Sequence, residues 1–281
     1  MAIPPEGRRT GREVAVGVCV FLAAVAAGCH APSSLTTAAR YRHGLVLILP
    51  GIEGRSLWNR NIAVGLDKGG VRSAIEIQDW TTGVPGNFVA NLTDFDRNLQ
   101  QARMLAGRIV EYESAHPDRP VHLIGHSGGG GMVVLTLEAL PPGRVVDGAI
   151  LLAAAISPDH DLTVALRRTR WGICNFYSPR DVTLLKVGTS LLGPIDRAYG
   201  PAAGAVGFRE PAGLDVGGRK LYEHRLRQIG WSERMRAFGA DGTHTGWASQ
   251  TFARTYLAPL ILEHEAARAA RRPERSADAG S

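Results

Sequence analysis

Short apolar runs alternate along this chain with longer stretches of helical period. Leu45 to Leu49 is a continuous apolar run, the pattern of a strand buried on both faces. Ser56 to Lys68 reads as a helix, ended by Gly69-Gly70. Ala74 to Trp80 reads as a second strand, and Thr81 to Gly86 as a turn-rich loop. The segment Thr93-Asp94-Phe95-Asp96 has the character of a helix cap. Leu99, Ala102, Leu105 and Ile109 follow at helical spacing, to about His116, and Pro117 closes the helix. A third strand is expected at 121–125, and a buried helix from Met132 to Leu140.

Beyond it the pattern predicts a strand at Val145 to Ala153, a helix at Ser157 to Arg168 and a strand at Gly172 to Tyr177. Thr183 to Leu192 reads as helical or irregular, and 193–219 as a long Gly/Pro-rich loop. Tyr222 to Ile229 is expected as the last strand, and Ala248 to Ala270 as a terminal helix. About six strands thus alternate with about six helices. That alternation predicts an α/β fold, a mostly parallel sheet flanked by helices. No internal repeat and no second-domain boundary is seen.

The front of the chain follows a different pattern. Arg8, Arg9 and Arg12 form a basic region, and Val14 to Ala27 is apolar but short for a membrane span. It ends in Ala26-Ala27-Gly28-Cys29, which resembles the lipobox of bacterial lipoprotein signal peptides. That resemblance implies a signal peptide over 1–28 and lipidation of Cys29. The protein would then be exported and held at a membrane on the cell surface or in the periplasm. Residues 29–43 read as a tether, 44–265 as the folded domain, and 266–281 as a disordered tail.

Composition narrows the functional classes. The 281 residues are 44% hydrophobic and 21% charged, as in an ordinary globular protein. The net charge of +6 comes mostly from scattered Arg, with no basic cluster interleaved with aromatics, so no nucleic-acid face is expected. Cys19 lies in the leader and Cys29 directly after it, which leaves Cys174 in the folded domain as one buried thiol and no disulfide. A dinucleotide fingerprint is not completed, because Val133 stands where the third Gly would be, and no Gly-Lys-Ser/Thr of a phosphate loop occurs. No His/Glu metal motif occurs either, so neither cofactor nor metal is expected.

The chemistry concentrates at Gly125-His126-Ser127-Gly128-Gly129. A serine at the apex of a strand-turn-helix needs side-chain-free neighbours two positions away, so that strand and helix can approach. A serine nucleophile needs a base, and the base needs an orienting carboxylate, both from loops at the carboxyl ends of later strands. Asp181 follows the strand ending at Tyr177 after Ser178-Pro179-Arg180, with Asp159 and Asp161 as rivals. His244 lies in a Gly-rich loop just before the terminal helix. His224, within a predicted strand, and His264, far down the terminal helix, are placed less well. His126 is assigned to packing or pocket lining.

The order Ser127, Asp181, His244, together with the run Val121 to Gly130, resembles an α/β-hydrolase of the lipase/esterase type. The resemblance spans roughly 44–265. It implies a serine hydrolase that cleaves small-molecule or lipid carboxylic esters through an acyl-enzyme. It also implies an oxyanion hole from the backbone amides of Gly128 and Ile52, with Gly51 as the alternative to Ile52. Too little chain precedes residue 45 for the antiparallel pair that usually opens this fold, so a reduced N-terminal sheet is implied. Apolar residues between Thr183 and Ile195 are placed to wall an acyl pocket or to pack as core. The same three residues would serve an acyltransferase, and a non-catalytic binding lipoprotein on this scaffold is the remaining alternative.

Overall fold

The computed structural model describes residues 32–84, 86–181, 195–196 and 200–271. The leader with Cys19 and Cys29, the expected pocket wall except for Ile195, and most of the tail lie outside the described residues; Ile195 is buried in the core. Six strands form one sheet: β1 (Leu45–Leu49), β2 (Ala74–Ile77), β3 (Val121–His126), β4 (Gly148–Leu152), β5 (Ile173–Tyr177) and β6 (Leu226–Gly230). Their spatial order is β2-β1-β3-β4-β5-β6, and every neighbouring pair is parallel. The expected mostly parallel sheet is therefore present. Among the described residues no antiparallel pair precedes β1.

The helices are α1 (Leu57–Lys68), α2 (Phe88–Thr93), α3 (Phe95–Ala115), α4 (Gly128–Ala139), α5 (Thr163–Arg167), α6 (Ala203–Val206), α7 (Val216–Arg225) and α8 (Ala258–Ala270). Side chains of a strand alternate between the two faces of its sheet, so the two cores can be read from residue parity. Leu45, Leu47, Leu49, Leu123 and Leu151 pack on one face with α3, α4 and α5. Val46, Ile48, Ile124, Ile150 and Phe176 pack on the other with α1 and the segment from Trp247 to Ile261. Cys174 is buried on this second face, and burial pushes its thiol up to about 12, as expected of a packed, inert thiol.

Several elements differ from expectation. Helix α4 starts at Gly128, four residues before Met132, because its glycines close against the sheet. A Cβ on Gly129 would stand 2.0 Å from the Leu49 carbonyl oxygen, and one on Gly130 would stand 2.6 Å from Ala154 Cβ. Tyr222 opens no strand. Asp215 accepts from the Gly218 amide at 2.6 Å and caps α7, so Val216 to Arg225, His224 included, is helical, and β6 begins only at Leu226. Helix α5 is short: it starts only at Thr163, whose amide donates to Asp161 Oδ1 at 2.9 Å in the preceding turn. Helix α2 lies between the expected loop at Thr81 to Gly86 and the expected cap, where no element was expected.

Two more segments make defined contacts. Residues 38–41, inside the expected tether, form a helical turn. Arg40 reaches Asp67 at 2.8 Å, and the Tyr41 hydroxyl donates to Glu76 at 2.7 Å. Helix α8 runs to Ala270, the expected end of the terminal helix. Arg268 there bonds the buried Asp147 at 2.7 and 2.9 Å.

Candidate active site

In a parallel sheet the loops after the strands gather at one edge, the carboxyl ends. Four such loops converge here: 50–56 after β1, the turn at Ser127 after β3, 178–181 after β5, and 239–249 after β6.

Ser127 carries the strain of its turn. Its φ is +56° and its ψ −123°, a conformation that a side-chain-bearing residue adopts only when its surroundings impose it. The surroundings do so through hydrogen bonds. The Ser127 amide donates to the Leu152 carbonyl at 2.9 Å, and its carbonyl accepts from the amides of Gly130 and Ala155, both at 2.9 Å. Gly125 has to be glycine, since a Cβ there would meet the Gly129 carbonyl oxygen at 2.2 Å.

His244 and Asp181 are joined. His244 Nδ1 lies 2.7 Å from Asp181 Oδ2, and both side chains are buried. The two loops that carry them are tied together as well. The Ser178 hydroxyl donates to the Gly242 carbonyl at 2.8 Å, and Asp181 turns back to donate its amide to the Ser178 carbonyl at 3.0 Å. Asp241 fixes the start of the histidine loop by accepting from the Thr243 amide at 2.9 Å and its hydroxyl at 2.6 Å. Trp247, fully buried against Phe176 and Phe252, anchors its end.

The serine stands apart from that pair in one respect. Among the described residues no hydrogen bond joins the Ser127 hydroxyl to the His244 ring. The rivals of Asp181 are engaged elsewhere: Asp159 pairs with Arg209, and Asp161 takes the Thr163 amide and the Tyr222 hydroxyl. His264 stacks on the buried His122 and on Trp171, on the second face of the sheet.

The loop after β1 meets the serine turn. A Cβ on Gly128 would lie 2.9 Å from Ile52 Cγ2 and 3.5 Å from the Ile52 nitrogen. The Ile52 nitrogen thus lies beside Gly128, and neither residue's amide donates to another described backbone carbonyl. The loop is pinned by Trp80 Nε1, which donates to the Pro50 carbonyl at 2.7 Å, and by Asn91 Nδ2, which donates to the Ile52 carbonyl at 2.8 Å. Asn91 belongs to α2, the helix that sequence reasoning missed.

Two side chains gain importance from the structure. His126 Nε2 is 2.9 Å from the His244 carbonyl oxygen, and the two rings approach to 4.9 Å. The carbonyl can only accept, so Nε2 carries the proton. Burial pushes His126 down to about 3, so it stays neutral. Glu53 lies in the loop after β1 beside Gly51, buried, and burial pushes its carboxyl up to about 6. A backbone hydrogen bond and the nearby His244 pull in the opposite direction. The sequence offered one hint for Glu53, a charge set between Gly51 and Gly54. For His126 it offered only adjacency to Ser127.

Comparison with known proteins adds the fold. No family model and no curated protein matches the sequence. Among solved structures the chain is similar to a candidate aryl esterase from Burkholderia cenocepacia, with a TM-score of 0.50 and 13% identity over 82% of this chain and 93% of that one. The chain has the α/β-hydrolase fold. Lipase B of Aspergillus fumigatus is similar at a TM-score of 0.49 and 14% identity, over 82% of this chain and 54% of that one. Est1E of Butyrivibrio proteoclasticus is similar at 0.45 and 14%, over 82% and 92%. On an α/β-hydrolase sheet of this order, the strained serine, the His-Asp pair and the two unspent amides all lie at the edge where such folds place ligands.

Proposed function

We propose that the protein is a serine hydrolase that cleaves carboxylic esters through an acyl-enzyme. The observation that carries this reading is the 2.7 Å contact between His244 Nδ1 and Asp181 Oδ2, made from the loop that follows β6 to the loop that follows β5, at the sheet edge where Ser127 is strained. The carboxylate holds the imidazole with its proton on Nδ1, which leaves Nε2 free to accept one. Ser127 Oγ attacks the ester carbonyl carbon as its proton passes to His244 Nε2. The new oxyanion takes hydrogen bonds from the Ile52 and Gly128 amides. His244 gives the proton to the departing alcohol, and Ser127 is left acylated. Water then attacks the acyl carbon, loses a proton to His244, and the acid departs as Ser127 regains its hydroxyl.

Among the described residues Ser127 and His244 share no hydrogen bond. Such contacts commonly tighten only in the complex. Turnover of p-nitrophenyl esters tests the reading. We expect it in the wild-type protein, and its loss in Ser127→Ala with the fold intact. Unchanged turnover in that variant contradicts it.

We also propose that Cys29 is lipidated and holds the domain at a membrane, on the strength of the Ala26-Ala27-Gly28-Cys29 sequence after an apolar run. Cys29→Ala should release the protein from the membrane fraction, and its retention there would contradict the anchor.

A further inference from the structure

Glu53 presents a carboxylate to the nucleophile. A single point, the place of a Cβ on Gly51, lies 2.2 Å from Glu53 Oε2 and 3.2 Å from Ser127 Cβ. The carboxylate therefore folds back over Gly51 toward the serine, and Gly51 leaves room for it. Its other oxygen, Oε1, accepts from the Ser56 hydroxyl at 3.2 Å. Ser127, His244 and Glu53 are exposed to the same small extent, 8%, 8% and 9%.

Among the described residues Glu53 has no counter-ion. The arginine ion pairs of the described residues all engage other carboxylates. The groups facing it are His244 from the loop after β6, Ser127 from the turn after β3, and the uncharged Ser56 and Asn59 at the start of α1. A buried carboxylate without a fixed cation is costly. Here it also stands beside the place where an oxyanion must form, so it opposes any further negative charge brought by the substrate. A positive charge on the substrate would relieve both.

We infer that Glu53 is a specificity-determining residue, which selects esters carrying a positive charge near the scissile carbonyl and rejects those carrying a negative one. The inference rests on Ser127 being the nucleophile. Two unit charges about 6 Å apart at a partly buried site interact strongly enough for a preference of about tenfold or more. Glu53 titrates at about 6, so the charge is present at pH 8 and fades below pH 6. A pH effect on turnover that is common to both substrates cancels from their ratio.

The experiment compares kcat/KM for acetylthiocholine with that for its uncharged isostere, 3,3-dimethylbutyl thioacetate, at pH 8. The cationic ester should be preferred by about tenfold. The ratio should collapse toward one in Glu53→Gln, whose amide oxygen keeps the Ser56 bond, and in the wild-type protein as pH falls from 8 to 5. A wild-type ratio of one at pH 8, or a ratio that survives Glu53→Gln, overturns the inference while leaving the hydrolase reading intact. If Glu53→Gln fails to fold, the wild-type pH series decides, and a constant ratio overturns it. Absence of Ser127-dependent turnover of p-nitrophenyl acetate instead removes the hydrolase reading, and the role of Glu53 with it.

Discussion

His126 Nε2 donates to the backbone carbonyl of His244 at 2.9 Å, so the residue preceding the strained serine holds the loop of the candidate base. This bond ties the end of β3 to the loop after β6 across two intervening strands. His126→Leu removes the donor and leaves a buried carbonyl unpartnered. That should cost about 1–3 kcal/mol of stability. It should also lower kcat more than it raises KM, because it displaces the base and not the substrate. Chemical denaturation and steady-state kinetics on one variant check both parts.

Asp181→Asn keeps the shape of the side chain but not its charge, and an amide can present a donor where His244 Nδ1–H needs an acceptor. The wrong tautomer is then favoured. We expect kcat to fall by about 10⁴-fold with the melting temperature nearly unchanged. A loss below about tenfold would mean that another group orients His244.

Gly129 and Gly107 make a contrasting pair. A Cβ on Gly129 would meet the carbonyl oxygens of Leu49 and Pro50 at 2.0 and 2.4 Å, and neither backbone atom can yield without moving β1. Gly129→Ala should therefore cost more than about 3 kcal/mol or prevent folding. Gly107 lies within α3 with nothing within 4 Å of a Cβ. Gly107→Ala should stabilise by about 0.5–1 kcal/mol. Thermal melts of the two variants should move in opposite directions.

His160 sits between two carboxylates. Its Nε2 is 2.8 Å from Glu138 at the end of α4, and its Nδ1 is 3.0 Å from Asp196, which also caps the Ser157 amide. Burial lowers its affinity for a proton, but the two carboxylates outweigh this and hold it up at about 9. A pKa raised on folding stabilises fully below the unfolded value near 6.5, and that stability is lost as pH rises through 9. The urea midpoint should fall between pH 7 and pH 10, by up to about 3 kcal/mol in stability. In His160→Gln the corresponding fall should be much smaller.

The sheet was legible because β1 to β5 are buried and rich in apolar residues, most plainly in the unbroken run Leu45 to Leu49. β6 is an edge strand, half exposed, and its residues carry no such run, so its start was misplaced by four residues. Helix α7 escaped because Gly217-Gly218 read as a loop while the deciding cap, Asp215, is a single side chain. The turn at Ser127 announced itself through glycines that sterics require. Glu53 and His126 could not be read the same way, since their meaning depends on loops that are far apart in sequence and meet only at the sheet edge.

Covalent labelling tests the central claim most directly. The folded protein is treated with a fluorophosphonate and its peptides are mapped by mass spectrometry. The account predicts one adduct, on Ser127, that is lost in His244→Ala and slowed in Asp181→Asn. An unlabelled Ser127 in folded wild-type protein, or an adduct on a different residue, would contradict it.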